Sequence, residues 1–345
     1  MRMTVTLVLA LLLVLLSWGL TAGVCRWALQ RQLLDVPNAR SSHRLPTPRG
    51  GGLAFVLPLV LCLPLLFLLA LVEARLALAL GPAGALVAVM GYVDDTGHVA
   101  ARWRLLGHFV AAAWALLCLG ELPPLVLFGF ELGQSLIGWL LATLLLVWLL
   151  NLFNFMDGID GIAGLEAVSV TLAMAVIYWT VGFAGNAVLL LLSAMAVLGF
   201  LFCNWPPARI FMGDVGSGFL GLWLAVLALH GGLLSVELFW AWLVMLGVFM
   251  VDASVTLLRR LMRGEKVYHA HRRHAYQFAS RRWHSHARVT VAVGLLNVVW
   301  LFPWAWVAAA GHLPGLIVLL LAWLPLMGLA LVLGAGRAEK LDAAQ

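Results

Sequence analysis

Apolar residues run along this chain in repeated blocks of roughly 18 or more, broken by short polar islands. A block of that length crosses about 30 Å of hydrocarbon as a helix. Eleven such blocks stand at roughly 3–24, 51–72, 76–93, 106–120, 135–151, 162–182, 186–203, 216–231, 238–258, 288–310 and 313–334, the fourth being the shortest. The pattern predicts an all-α, polytopic membrane helix bundle of about 11 transmembrane helices, forming one membrane-embedded domain over residues 1–345.

Composition sharpens this. Hydrophobic residues make up 64% of the chain and charged residues 10%, against about a quarter charged in soluble domains, and the mean hydropathy is +1.03. Lipid rather than water is the main solvent. The first block is not a secretory signal: it exceeds the apolar core of one, and Val24 stands before Cys25 where a small residue is wanted. The four cysteines, Cys25, Cys62, Cys118 and Cys203, lie in or beside different spans without the spacing of a zinc site. The net charge of +6 points to membrane orientation instead of nucleic acid.

With the N-terminus placed outside, 19 of the 21 Lys and Arg residues fall on inward loops, leaving only Arg2 and Arg75 outside. The positive-inside rule therefore predicts a periplasmic N-terminus, a cytoplasmic C-terminus and an odd number of spans. Cytoplasmic loops then run over 25–50, 93–106, 151–161, 203–215 and 258–287. Every aspartate falls on that same side, whereas the outer loops hold only Glu73, Glu121, Glu131 and Glu237. Short carboxylate side chains gathered on one face suggest a metal-phosphate site.

Four polar islands carry candidate chemistry. Asp94-Asp95 ends the third span, where a cation would compensate a partly desolvated pair; a solvated loop start is the plainer alternative. The fifth span runs into 151–161, whose Asn151, Asn154, Asp157 and Asp160 offer amides and carboxylates while its glycines allow close backbone approach. An Asn/Asp-Gly turn accounts for part of that string, but not for two asparagines at helical spacing. In 204–218, a Gly-rich turn opening a helix presents free N–H groups to an anion, Asp214 is a potential cation ligand and Phe211 can stack on a base. A simple interhelical turn explains the glycines equally well. The last loop carries His269, His271, Arg272, Arg273 and His274, suited to a diphosphate. The flanking Arg259, Arg260, Arg281 and Arg282 fit a lipid-headgroup patch.

The strings GYVDD, NLFNFMDGIDGIAG, NWPPARIFMGDVGSG and HAHRRHAYQ, in this order and on one face, resemble the polyprenyl-phosphate N-acetylhexosamine-1-phosphate transferases (MraY/WecA type, glycosyltransferase family 4). The segment DVPNARSSHRLPTPRGGG is most similar to the WbpL-like, O-antigen-initiating branch. The resemblance implies transfer of a HexNAc-1-phosphate from a UDP-N-acetylhexosamine to undecaprenyl phosphate at the cytoplasmic face of the bacterial inner membrane, with release of UMP. It implies Mg2+, with Mn2+ as a substitute, held by Asp214 and Asp157. It places Asp94, Asp95, Asp157, Asp160, His271 and His274 in the catalytic set. Arg44, Arg49, Arg104, Asn151, Asn154, Asn204, Phe211, His269 and Arg272 then contact substrate. Arg104 stands where MraY-like proteins carry lysine, which keeps the charge but not an exchangeable proton. A lipid phosphate is already largely a dianion at neutral pH, so no general base is obligatory. The resemblance allows a homodimer. The competing class is a secondary transporter of an anionic solute, which would place its charges at mid-membrane within internal repeats.

Overall fold

All eleven apolar blocks fall on helix. The computed structural model describes residues 2–37, 42, 45–97, 99–265 and 271–338. The helices are α1 (Arg2–Gln30), α2 (Leu53–Leu68), α3 (Ala74–Thr96), α4 (Ala101–Leu119), α5 (Leu136–Met156), α6 (Ile162–Thr180), α7 (Ala187–Asn204), α8 (Asp214–Leu234), α9 (Val236–Met245), α10 (Gly247–Met262), α11 (Ala275–Trp283), α12 (His286–Leu295), α13 (Phe302–Ala309) and α14 (Gly315–Leu333). Helix is the form that satisfies each backbone N–H and C=O within its own segment, which hydrocarbon requires. Two-residue strands form two hairpins: β1 (Leu34–Asp35) with β2 (Thr47–Pro48), and β3 (Val126–Leu127) with β4 (Phe130–Glu131).

Among the described residues, eight helices are long and apolar enough to cross a membrane, or nine when α9 and α10 count as one bent span. α2, with 16 residues, is shorter than these, and α4 carries Arg102, Arg104 and His108 in its first turns. The block expected to be one straight span at 238–258 breaks at Leu246, where α9 and α10 meet at 67°. The block expected at 288–310 is a single 24-residue span, His286–Ala309, in which a π-helical turn, Leu296–Leu301, separates α12 from α13. The chain is a multi-pass membrane protein.

Burial sets the order of the bundle. In α8, 89% of the apolar window is buried, against 22% in α1, so α8 is the central post and α1 faces lipid with Leu7, Leu11, Leu15 and Leu16. α3 and α5 pack along α8, and α6, α7, α1 and α2 extend the bundle on one side. The ends differ in chemistry. At one end Arg75 lies 3.7 Å from Glu121, and Glu73 lies 3.9 Å from His230. At the other end the aspartates converge.

Candidate active site

The site is organised around the N-terminus of α8. Residues 47–52 lie against residues 211–216: the Phe211 N–H donates to the Pro48 carbonyl (2.8 Å), and the N–H groups of Gly51 and Gly52 donate to the Phe211 and Met212 carbonyls (2.9 and 2.8 Å). Only glycine permits this approach. A Cβ at Gly52 would stand 2.4 Å from Gly216 Cα, and one at Gly91 would stand 2.4 Å from Val215 N. The end of α3 is thereby pressed onto the start of α8. Buried Asp95 accepts the Asp214 and Val215 N–H groups at 3.1 and 3.2 Å, where an anion meets the positive end of the α8 dipole. Arg49 Nε lies 3.9 Å from the Asp95 carboxylate, and Arg49 also donates to the Asp95 carbonyl. Asp94 stands beside Asp214: it pairs with Arg104 and accepts the Val99 N–H (3.0 Å), and the same Arg104 Nη1 reaches on to Asp214 Oδ2 at 3.3 Å.

The α5–α6 connection supplies the opposite wall. Asn154, in the last turn of α5, donates to Ser217 Oγ (3.2 Å) and hydrogen-bonds Asp214. Asp160 accepts the Ala208 N–H at 3.1 Å and has its other carboxylate oxygen 3.2 Å from His286 Nδ1. Asn204 spends its amide on the backbone, accepting the Gly161 N–H (3.0 Å) and donating to the Ile210 carbonyl (2.9 Å). It ties the two acidic loops together.

These elements enclose a cavity of about 210 Å³, lined by Asp35, Arg49, Asp95, Asn154, Asp157, Asp160, Asp214, Ser217, Gln277 and His286 among others. Burial, then the negative charges of Asp214, Asp95 and Asp160, push the Asp157 carboxyl well above the usual carboxylate range. Such crowding of hard oxygen donors suits a small divalent cation, which relieves the repulsion. Among the described residues no group of three or more His, Cys, Asp or Glu is placed to hold a metal by itself. Asp157 and Asp214 could therefore hold one only with further oxygens from phosphates and water, a common way for Mg2+ to bind. Four lining residues, Ser42, Asp160, Phe211 and His286, are shared with a larger cavity of about 980 Å³ that also carries Arg272 and Arg281.

The histidine loop stands behind this wall. Asp252 of α10 accepts the Ala275 and Tyr276 N–H groups (2.8 and 3.0 Å) and the Thr256 hydroxyl (3.1 Å), which pins the start of α11. Tyr276 donates to the Phe155 carbonyl at 3.0 Å, linking α11 to the end of α5. Buried His274 lies 3.5 Å from Asp252 and stacks on His271 at 4.9 Å. Burial, with His274, Arg260 and Arg273 adding to it, lowers the His271 imidazole to about 3. His271, half-buried, does not line the cavity. Asn151 likewise faces away, bonded to the Val147 carbonyl (2.7 Å) and close to His108 (3.3 Å). The expected headgroup patch is partly consumed: Arg260 pairs with Glu265 at 3.0 Å and Arg259 donates to the Ala335 carbonyl, while Arg273 of the histidine loop also pairs with Glu265 at 2.8 Å.

Of the sequence-predicted residues, the small cavity thus brings together Arg49, Asp95, Asn154, Asp157, Asp160, Asn204, Phe211 and Asp214. Arg272 lines the larger one. Asp94, Arg104, Asn151, His271 and His274 line neither, and Arg44 and His269 lie outside the described residues. Sequence reasoning missed Asp35, Ser217, Gln277 and His286. The Ser285-His286 pair at the start of a span was the available signal for the last.

The family described as glycosyl transferase family 4 matches residues 77–232. A decaprenyl-phosphate N-acetylglucosaminephosphotransferase of Mycobacterium tuberculosis is 30% identical over 298 residues, covering 75% of this chain and 72% of that protein. The chain belongs to this family. It is a member of the polyprenyl-phosphate N-acetylhexosamine-1-phosphate transferase superfamily. A Bacillus subtilis protein named "Probable undecaprenyl-phosphate N-acetylglucosaminyl 1-phosphate transferase" is 28% identical over 86% of this chain and 83% of its own length. A phospho-N-acetylmuramoyl-pentapeptide-transferase of Symbiobacterium thermophilum is 36% identical over 55% and 62%. The family match spans Asp94 to Asp214 and stops before the histidine loop.

Proposed function

We propose that this protein transfers a HexNAc-1-phosphate from a UDP-N-acetylhexosamine to undecaprenyl phosphate, giving polyprenyl-diphosphate-HexNAc and UMP. The observation that carries the reading is the cavity in which Asp95, Asp157, Asp160 and Asp214 meet beside Arg49, adjoining a larger cavity with Arg272 and Arg281. An acidic floor next to a cationic wall is what two converging phosphate groups need. A lipid phosphate oxygen attacks the sugar-linked phosphorus, the bond from that phosphorus to the UMP oxygen breaks, and UMP leaves. Asp157 and Asp214 are the residues proposed to hold Mg2+, which when bound neutralises the diphosphate and polarises the leaving-group bond.

This chain's own residues supply position. Asp95, fixed on the α8 amides, holds the Arg49 guanidinium at the cavity rim. Asn154 keeps Asp214 turned toward the cavity through Ser217 and Asp214 itself. Phe211, at the junction of the two cavities, is the ring on which uracil stacks. The acceptor enters from the bilayer, and the Lys and Arg distribution supports placing the site at the cytoplasmic face of the inner membrane. The N-terminus is periplasmic, the C-terminus cytoplasmic and the crossings eleven. Resemblance to the O-antigen-initiating branch supports a role in starting a surface polysaccharide, with GlcNAc, GalNAc or the 6-deoxy sugars FucNAc and QuiNAc as the transferred unit.

Purified protein, undecaprenyl phosphate, magnesium and a panel of radiolabelled UDP-sugars test the reading. Label is expected in the lipid fraction with one UMP released per transfer. Solute uptake into sealed proteoliposomes without UMP release would overturn it in favour of a transporter.

A further inference from the structure

His286 stands outside every motif of the sequence, yet it lines both cavities. Its ring is built in. Ser285 caps α12 by accepting the Arg288 N–H at 3.3 Å, which makes His286 the first residue of the helix. Nδ1 lies 3.2 Å from Asp160 Oδ1 and 3.4 Å from the Asp160 N–H. Asp160 is itself held, its second carboxylate oxygen by the Ala208 N–H (3.1 Å) and its carbonyl by the Thr290 hydroxyl one turn along α12 (2.9 Å). Deeper on the same seam, Asn297 donates to Glu166 (2.7 Å) and Ser169 (2.8 Å), fastening the α12 span to α6.

We propose that His286 is a substrate-contacting residue whose Nε2–H donates to a phosphate oxygen of the sugar nucleotide, with Asp160 orienting the ring. With Nδ1 taken by Asp160, Nε2 is the nitrogen left for a ligand. A ring that accepts the Asp160 N–H, or carries a second proton shared with the Asp160 carboxylate, presents Nε2 as a donor. Its place between the four aspartates and the Arg272–Arg281 wall is where a phosphate bridging the two cavities would lie, and imidazole N–H groups bind phosphate oxygens well. This inference rests on the transferase reading above.

Two amides separate contact from scaffolding. Asn places its amide near the Nδ1 position and keeps the Asp160 link, whereas Gln places it near Nε2 and keeps the ligand contact. With UDP-sugar and undecaprenyl phosphate, H286N is expected to lose about 100-fold in kcat/KM, mostly in kcat, as for loss of one transition-state donor. H286Q is expected to stay within about fivefold of the wild type, a far smaller loss than removing the donor outright. Thermal midpoints in detergent check that both variants fold. A folded H286Q no better than H286N overturns the contact, whereas a loss confined to H286N upholds it, whether it falls in kcat or in KM. Wild-type turnover upholds the transferase reading whatever the variants do, and its absence overturns both.

Discussion

Asp214 opens α8 with its carboxylate 3.3 Å from Arg104 and hydrogen-bonded to Asn154, and it shares its cavity with Asp157. Asp214→Asn keeps the shape and removes the charge on which cation binding depends. A fall of at least ~100-fold in kcat/KM is expected, roughly 2.7 kcal/mol of transition-state stabilisation, and a near-normal rate with unchanged magnesium dependence would refute the assignment. Asp94 is a different case. Its carboxylate is already engaged by Arg104 and the Val99 N–H, which suits a residue that places Arg104 better than a free base. Asp94→Asn should therefore lower turnover without abolishing it. The residual single-turnover rate should rise with pH through about 6, because the phosphate nucleophile gains its second charge there. Loss of turnover at every pH between roughly 5 and 9 would make Asp94 the obligatory proton acceptor, and a flat residual rate across that range would refute the self-ionised nucleophile. The choice between the two aspartates was not legible from GYVDD: adjacent positions on a helix end point in directions that only the packing of α4 and α8 distinguishes.

At the scale of elements, the acidic site depends on three segments meeting without side chains between them: the turn at 47–52, the end of α3 and the start of α8. Gly52→Ala puts a methyl 2.4 Å from backbone, whereas Gly23→Ala on α1 meets nothing within 4 Å. The first should cost on the order of 3 kcal/mol by overpacking, seen as a lower thermal midpoint and lost transfer activity. The second should leave both close to the wild type, and equal behaviour of the two variants would show that the close approach is not needed. Glycines were visible in the sequence as Gly-rich turns. That Gly52 and Gly91 serve packing against Gly216 and Val215, over 120 residues away along the chain, was not. The α9–α10 break was equally hidden, since the apolar block is continuous through Leu246.

For the whole molecule, the Lys and Arg distribution predicts which end of the bundle faces the cytoplasm, and the structure gathers the aspartates at one end and the Arg75–Glu121 pair at the other. In a background with the native cysteines replaced, Phe128→Cys on the β3–β4 hairpin, 85% exposed, should react with an impermeant thiol reagent in intact cells. Ser42→Cys and exposed Arg282→Cys should react only after permeabilisation. The reverse pattern would place the site outside and remove it from any cytoplasmic nucleotide.

The helices, their all-α character and the end that carries the chemistry were determined by the sequence itself. Hydrocarbon forces each apolar block to satisfy its own backbone, and charge sorts the loops between them. The motif carboxylates Asp95, Asp157, Asp160 and Asp214 could be named from the same strings. Only the tertiary structure decided which polar residues face the cavity and which hold the loops. Asn151 and Asn204 look like ligands in one dimension but spend their amides on backbone. Asp35 and His286, from distant parts of the chain, stand in the wall instead. The reason is geometric: a side chain at a helix end takes its direction and its partners from the elements packed against it, and those contacts cross sequence separations as long as the 126 residues between Asp160 and His286.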